Sequence, residues 1–124
     1  MEKFSKIAWN KNLDLSTVPE GMIVTGVPLR HPIFKLPFER AMTMCRSDWH
    51  NWEQVNKMLD RGLELPVYYC LKCNQIEEGK FRLFAAQIFG KKKANIMTWG
   101  DCRRVLKKEM QTIENKIVSG EIGF

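Results

Sequence analysis

The spacing of hydrophobic positions changes several times along the chain and predicts where its elements begin and end. The β-branched apolar run at residues 22–29 follows a Pro-Glu-Gly sequence, a combination typical of a strand after a turn. Pro28, Pro32 and Pro37 come close together, and the residue before a proline avoids the helical region. Residues 1–37 are therefore predicted to be extended and rich in loops around one strand.

Two short helices are predicted after this extended region. The first begins near Pro37, and its apolar positions recur at helical spacing: Phe38, Ala41, Met42 and Cys45. The second is capped by Ser47 or Asp48, ends at Gly62 and carries one apolar stripe. That stripe consists of Trp49, Trp52, Val55, Met58 and Leu59. Large aromatic side chains at helical spacing usually pack in a core, so we expect the stripe to be buried.

A β-hairpin and a long final helix are predicted in the second half of the chain. The hairpin pairs the apolar runs 65–75 and 81–89, and Gly79 supplies the backbone freedom for the turn between them. After a loop, the last helix covers residues 99–118. Its apolar face has the most regular helical spacing in the chain and is formed by Cys102, Val105, Leu106, Met110, Ile113, Ile117 and Val118.

Together these elements predict an α+β fold. A small antiparallel sheet, made of the N-terminal strand and the central hairpin, packs with two short helices and a long amphipathic C-terminal helix. A chain of 124 residues, 44% hydrophobic and 27% charged, is expected to form a single domain over residues 1–124. It has no apolar run of about 18 residues and no export signal, so we expect a soluble, cytoplasmic protein with no membrane partner.

The net charge of +6 is concentrated in one segment, because residues 91–108 account for all of it and the other residues balance to zero. The cations of this segment are Lys91, Lys92, Lys93, Arg103, Arg104, Lys107 and Lys108, against the single acid Asp101. Such a segment predicts a negatively charged partner, most commonly DNA or RNA, since phosphate contacts supply most non-specific affinity. The alternative is a solvated helix face beside a basic loop.

Aromatic side chains near the basic segment are candidates for stacking on bases. They are Tyr68, Tyr69, Phe81, Phe84 and Phe89 on the predicted strands and Trp99 at the start of the last helix. A sheet with one buried face consumes alternate aromatics, so we expect only Tyr68 and Trp99 to be exposed. A helix-turn-helix over residues 38–61 is a further alternative, although the turn between its helices has no glycine.

The cysteines raise the question of a metal site. Four cysteines are too few for a disulfide scaffold, and the one zinc set that can be drawn from the sequence is Cys45, His50, Cys70 and Cys73. The pattern lacks the second Cys-x-x-Cys or His pair of a typical zinc site, and residues i and i+3 of a straight strand point to opposite faces. We therefore expect no metal or other cofactor, with this set as the alternative.

No catalytic pattern is present in the sequence, and the glycine before the lysines at 91–93 lacks the second glycine of a phosphate-binding loop. The prediction is a small, basic, non-catalytic protein that binds nucleic acid through residues 91–108. The alternative is a compact protein-binding inhibitor or adaptor, like phage accessory proteins, acting on a larger protein that handles nucleic acid. Four tryptophans and seven methionines favour this alternative, because both residue types are enriched in interfaces. A homodimer is compatible with both functions.

Overall fold

A computed structural model describes residues 5–61, 65–100 and 107–120 of the chain. The strands are β1 Ser5–Ala8, β2 Met22–Pro28, β3 Val67–Cys70, β4 Gln75–Glu78 and β5 Lys93–Trp99. The helices are α1 Lys35–Ser47, α2 His50–Arg61, α3 Lys80–Phe89 and α4 Lys107–Val118, with short 3-10 helices at Leu15–Thr17 and Pro32–Phe34. The predicted α+β class is confirmed, and so are β2 and the two helices that follow it.

The five strands form one mixed sheet in the order β1-β2-β5-β3-β4. Strand β1 is parallel to β2, and β3 is parallel to β5, whereas the pairs β2–β5 and β3–β4 are antiparallel. The prediction of a small, purely antiparallel sheet is therefore wrong. Residues 91–97, which begin with three lysines, were expected to form a loop, but Lys93–Trp99 forms the strand at the centre of the sheet.

The predicted hairpin is also wrong in its second half. The chain turns back at residues 71–74, where Asn74 adopts a left-handed conformation with φ 56°, and β4 pairs with β3 from there. The run 81–89 is helix α3, which begins after Gly79 with φ 101°. The run is mostly apolar, with Arg82 and Gln87 as its only polar residues, and a short apolar run fits a buried strand and a buried helix equally well.

The last helix is shorter than predicted. Trp99 ends strand β5, and α4 begins at Lys107, so the predicted helix start at residue 99 is wrong. Residues 101–106, which include Cys102, Arg103 and Arg104, lie outside the described residues. None of the helices that the structure describes has the length and apolar character needed to cross a membrane.

Helix α3 lies between the sheet and the pair formed by α1 and α2. One face of the sheet packs against its Leu83 and Ala86, and this cluster also contains Val24, Val67, Tyr69 and Ile96. The other side of α3 packs on the helix pair in a cluster of Ala41, Cys45, Val55, Phe84 and Ala85. The second face of the sheet packs on α4 through Ile23, Tyr68, Met97, Trp99 and Ile113. Both faces of the central strands are therefore covered.

A partly buried ion pair links α3 to α4. Arg82 Nη1 donates to the Pro66 carbonyl oxygen at 2.6 Å and to Glu114 Oε2 at 3.1 Å. The Tyr68 hydroxyl donates to the same Glu114 oxygen at 2.9 Å. Burial, together with the negative charge of Glu114, raises the pKa of Tyr68 far above its ordinary value, so the phenol stays protonated and remains a donor. Removing one partner of a fully buried pair typically costs about 3–5 kcal/mol, and the partial exposure of Glu114 places the cost here below that range.

Gly79 has a packing role as well as a conformational one. A Cβ atom at Gly79 would lie 2.8 Å from Val67 Cγ1, whereas a Cβ at Gly120, which also has positive φ, would have no neighbour within 4 Å. We expect Gly79→Ala to lower the free energy of unfolding by about 1–3 kcal/mol more than Gly120→Ala, because the first adds overpacking to backbone strain. Urea unfolding of both variants measures the difference, and equal losses would contradict this account of Gly79.

Candidate nucleic-acid interface

The lysine segment, Lys91, Lys92 and Lys93, connects α3 to β5 and is exposed at all three positions. Its backbone is held at both ends. Gly90 ends α3 with φ 89°, and the Lys91 N–H donates to the Ala86 carbonyl oxygen at 2.9 Å. Within the described part of the chain, no acidic side chain lies at ion-pair distance from the three lysines. Relative to the acidic side chains that the structure describes, the segment therefore presents three unpaired positive charges on a backbone held by hydrogen bonds.

Arg30 lies beside the lysine segment, although it is far away in sequence. The Leu29 N–H donates to the Lys92 carbonyl oxygen at 2.9 Å, and Pro28 pairs with Lys93 in the sheet, so exposed Arg30 follows directly. No sequence pattern points to Arg30, because only the pairing of β2 with β5 brings it to the lysines.

His31 adds no charge at this point of the surface near neutral pH. Its Nδ1 accepts a hydrogen bond from the Ile33 N–H at 3.1 Å at the start of the second 3-10 helix. Partial burial lowers the pKa of His31, so its ring stays neutral and can keep this acceptor role. The positive charge beside Lys92 therefore comes from Arg30.

Phe89 is the exposed aromatic side chain nearest in sequence to the lysine segment. It is the last residue of α3, two positions before Lys91, and 62% of its side-chain surface is accessible. Phe89 is one of the stacking candidates from the sequence, but the prediction that it is a buried strand residue is wrong. At a helix end beside three cations, its ring is available to a ligand.

Tyr68 and Trp99 are not exposed, contrary to the expectation from the sequence. Tyr68 is 1% accessible and Trp99 is 9% accessible, and their rings meet edge to face with centroids 6.0 Å apart. The expectation assumed a sheet with one open face, but α4 covers the face that carries both rings. Neither side chain can stack on a base in this conformation.

The remaining cations of the basic segment stand apart from the lysine segment along the chain. Arg103 and Arg104 lie outside the described residues, and so do the side chains of Lys107 and Lys108 in the first turn of α4. Lys93 and Trp99 mark the two ends of β5, which are about 20 Å apart for a strand of this length. That all seven cations form one continuous patch stays a prediction.

The two tryptophans of the predicted stripe are exposed, although the whole stripe was predicted to be buried. Trp49 is 64% accessible and Trp52 is 40% accessible, whereas Val55 is buried. The Trp52 ring leans on Phe84 of α3 with centroids 5.5 Å apart, and Trp49 stacks on His50 at 4.2 Å. Of the described side chains of the stripe, Val55 is buried in the core and Met58 packs against it, whereas the two tryptophans lie at its edge.

The proposed zinc set is not brought together. Cys45 lies in α1 within the helical cluster, and burial raises the pKa of its thiol. His50 Nδ1 lies 2.9 Å from Asp48 Oδ1 at the start of α2, away from the sheet. Among the described residues, no group of three or more His, Cys, Asp or Glu side chains could hold a metal ion.

Cys70 and Cys73 do share one tight turn, against the expectation that a straight strand separates them. The Cys73 N–H donates to Cys70 Sγ at 3.3 Å, and the Asn74 N–H donates to the Cys70 carbonyl oxygen at 2.8 Å. Cys70 is buried and Cys73 is exposed. Asn74, in a left-handed conformation directly after Cys73, completes the turn.

These environments predict different thiol reactivities. In the native protein, we expect Cys73 to react with iodoacetamide more than about tenfold faster than Cys45. The reason is that Cys73 is exposed, whereas Cys45 is buried and burial raises the pKa of its thiol. Peptide mapping by mass spectrometry after timed quenching measures both rates. In the urea-unfolded control the two rates should converge, and equal rates in the native protein would contradict the burial of Cys45.

Comparison with known proteins gives no relative for this chain. No family model matches it, and neither a curated protein nor a solved structure does so. Its function is therefore argued from its own residues.

Proposed function

We propose that this protein is a small, non-catalytic nucleic-acid-binding protein whose lysine segment contacts phosphates. The single observation that carries the proposal is the exposure of Lys91, Lys92 and Lys93 on a fixed backbone, with Arg30 beside them. Phosphate groups are the anions that a run of exposed cations recognises without base specificity.

The backbone of the lysine segment favours binding because it is already ordered, so that binding does not have to fix a flexible loop. Hydrogen bonds fix Lys91 to the end of α3 and Lys92 to the end of β2, and Lys93 is already part of β5. Only the side chains need to adjust to the positions of successive phosphates. Binding therefore costs side-chain entropy but no folding of a loop.

Phe89 supports the proposal from a second direction. Stacking of a base on an aromatic ring is tolerant of sequence, and it accompanies phosphate contacts in many proteins that bind unpaired strands. Its exposed ring lies two residues from Lys91, so phosphate and base contacts can be made by one stretch of chain. In this proposal Phe89 takes the stacking role for which Tyr68 and Trp99 are unsuitable.

The alternative of a protein-binding inhibitor or adaptor differs in its physical signature. An interface centred on apolar side chains is nearly insensitive to salt, whereas release of counterions makes phosphate binding weaken steeply as salt rises. The uncompensated lysines favour the nucleic-acid function.

Replacing the lysine segment tests the proposal. We expect Lys91→Ala, Lys92→Ala and Lys93→Ala together to weaken binding to fluorescent oligonucleotides and to make the slope of log affinity against log salt shallower by about 2, as for three lost phosphate contacts on a single strand. The matched control replaces Lys11, Lys57 and Lys116, which changes the net charge equally at other places. Fluorescence anisotropy over a salt series measures both variants.

The control variant should keep nearly the wild-type salt slope. Equal losses in the two variants would show that net charge alone governs binding and would contradict a site at the lysine segment. Absence of binding by the wild-type protein even at low salt would contradict the proposed function itself.

A further inference from the structure

An exposed apolar cluster adjoins the lysine segment and has no role in the fold that would explain its exposure. We call it the apolar rim, and it consists of Trp49, Trp52, Ile88 and Phe89, all of which are exposed. Small soluble proteins rarely keep several large apolar side chains together on the surface unless they bind something there.

The packing of α2 on α3 brings the members of the rim together. Trp52 of α2 contacts Phe84 of α3, and further along α2 Met58 lines a pocket with Phe81 of α3. The two helices therefore run in opposite directions. Trp49, one turn before Trp52, lies level with the residues one turn after Phe84.

On α3, the rim continues the two faces that hold the helical core. Phe84 and Ala85 both pack in the cluster with α1 and α2. Ile88 and Phe89 each lie four residues later, so they occupy the same two faces about 5.4 Å further along the helix axis. If the two helices run antiparallel, this level corresponds to the start of α2, which Trp49 directly precedes.

Positive charge lies near the rim at two places, whereas exposed Glu53 directly follows Trp52 in the first turn of α2. Phe89 is two residues from Lys91, and exposed Arg46 lies in the last turn of α1, three residues before Trp49. The nearby acid Asp48 accepts hydrogen bonds from the backbone and the ring of His50, which lower its pKa. The Asp48 carboxylate therefore already has a hydrogen-bond partner within the protein. Cations around flat apolar side chains match a partner that has both phosphates and aromatic bases.

We propose that the apolar rim stacks on the unpaired bases of a single-stranded nucleic acid while the lysine segment holds its phosphates. This inference rests on the proposed function and specifies its substrate. In a duplex the bases are stacked on one another and offer only their edges, so the rim gains nothing from them. In a single strand every base exposes a ring face that tryptophan or phenylalanine can cover. The protein therefore prefers single strands to duplexes.

The test compares single-stranded and duplex oligonucleotides of one sequence at one salt concentration. The double variant Trp49→Ala and Trp52→Ala should bind the single strand about tenfold or more weakly, as expected for the loss of stacked bases, and should bind the duplex as the wild type does. Val118→Ala, which removes an exposed apolar side chain from α4, is the matched control and should change neither affinity. Circular dichroism and the unfolding midpoint check that each variant is folded.

Trp52 contacts Phe84, so the double variant also removes a packing contact. Trp49→Ala alone keeps the test independent of folding, since the ring of Trp49 stacks on exposed His50 and not on the core. It should weaken single-strand binding as well, and Trp49→Phe should restore most of the affinity because a phenyl ring can still stack.

The outcomes separate this inference from the proposed function. Unchanged single-strand affinity in the double variant, together with loss in the lysine variant, would overturn the stacking role and leave the proposed function standing. Absence of any nucleic-acid binding by the wild type would overturn both. Self-association or capture of a protein that depends on Trp49 and Trp52, with unchanged nucleic-acid affinity, would also overturn the proposal and assign the rim to a protein contact.

Discussion

The burial of α3 on both sides is the constraint on which the rest of the structure depends. Residues 82–86 of this helix are all buried, with Leu83 and Ala86 against the sheet and Phe84 and Ala85 against the helix pair. A helix in this position couples two apolar clusters that would otherwise be separate, so neither the sheet nor the helix pair can shift alone. The same helix ends in exposed Ile88 and Phe89 and leads into the lysine segment. The candidate surface is therefore positioned by the most buried helix among the described residues.

The ion pair between Arg82 of α3 and Glu114 of α4 helps to determine the position of α4. Arg82 points from α3 to Glu114 of α4, and Tyr68 contributes a hydrogen bond from the strand between them. An ion pair of this kind adds little net stability over a well-packed apolar core, but leaving one charge without the other is expensive. The ion pair therefore contributes little to the free energy of unfolding, but it makes other positions of α4 unfavourable because they would separate the two charges. The ion pair and the packing of Ile113 together hold α4 on the second face of the sheet, where it buries Trp99.

The sequence predicted elements whose period is unambiguous and failed where burial is nearly complete. The run 22–29 was identified as a β-branched apolar run after a turn signal, and the two helices after it were identified because their apolar positions recur at helical spacing. The run 81–89 could not be assigned, since a helix buried on both sides shows no polar face, and β5 was missed because its first residue continues a lysine run. The candidate site was recoverable in part. Lys91–Lys93 stand out by charge, whereas Arg30 depends on strand pairing and the exposure of Trp49 and Trp52 depends on how far α2 overlaps α3.

The central claim is that the lysine segment and the apolar rim act as one surface for nucleic acid. It is tested most directly by a two-dimensional NMR titration of ¹⁵N-labelled protein with a short single-stranded oligonucleotide. The account predicts that the indole N–H signals of Trp49 and Trp52 and the amide signals of residues 88–93 shift together along one binding curve, while the indole signal of buried Trp99 stays in place. Shifts confined to other parts of the chain, or indole signals that do not move while the lysine amides do, would contradict it.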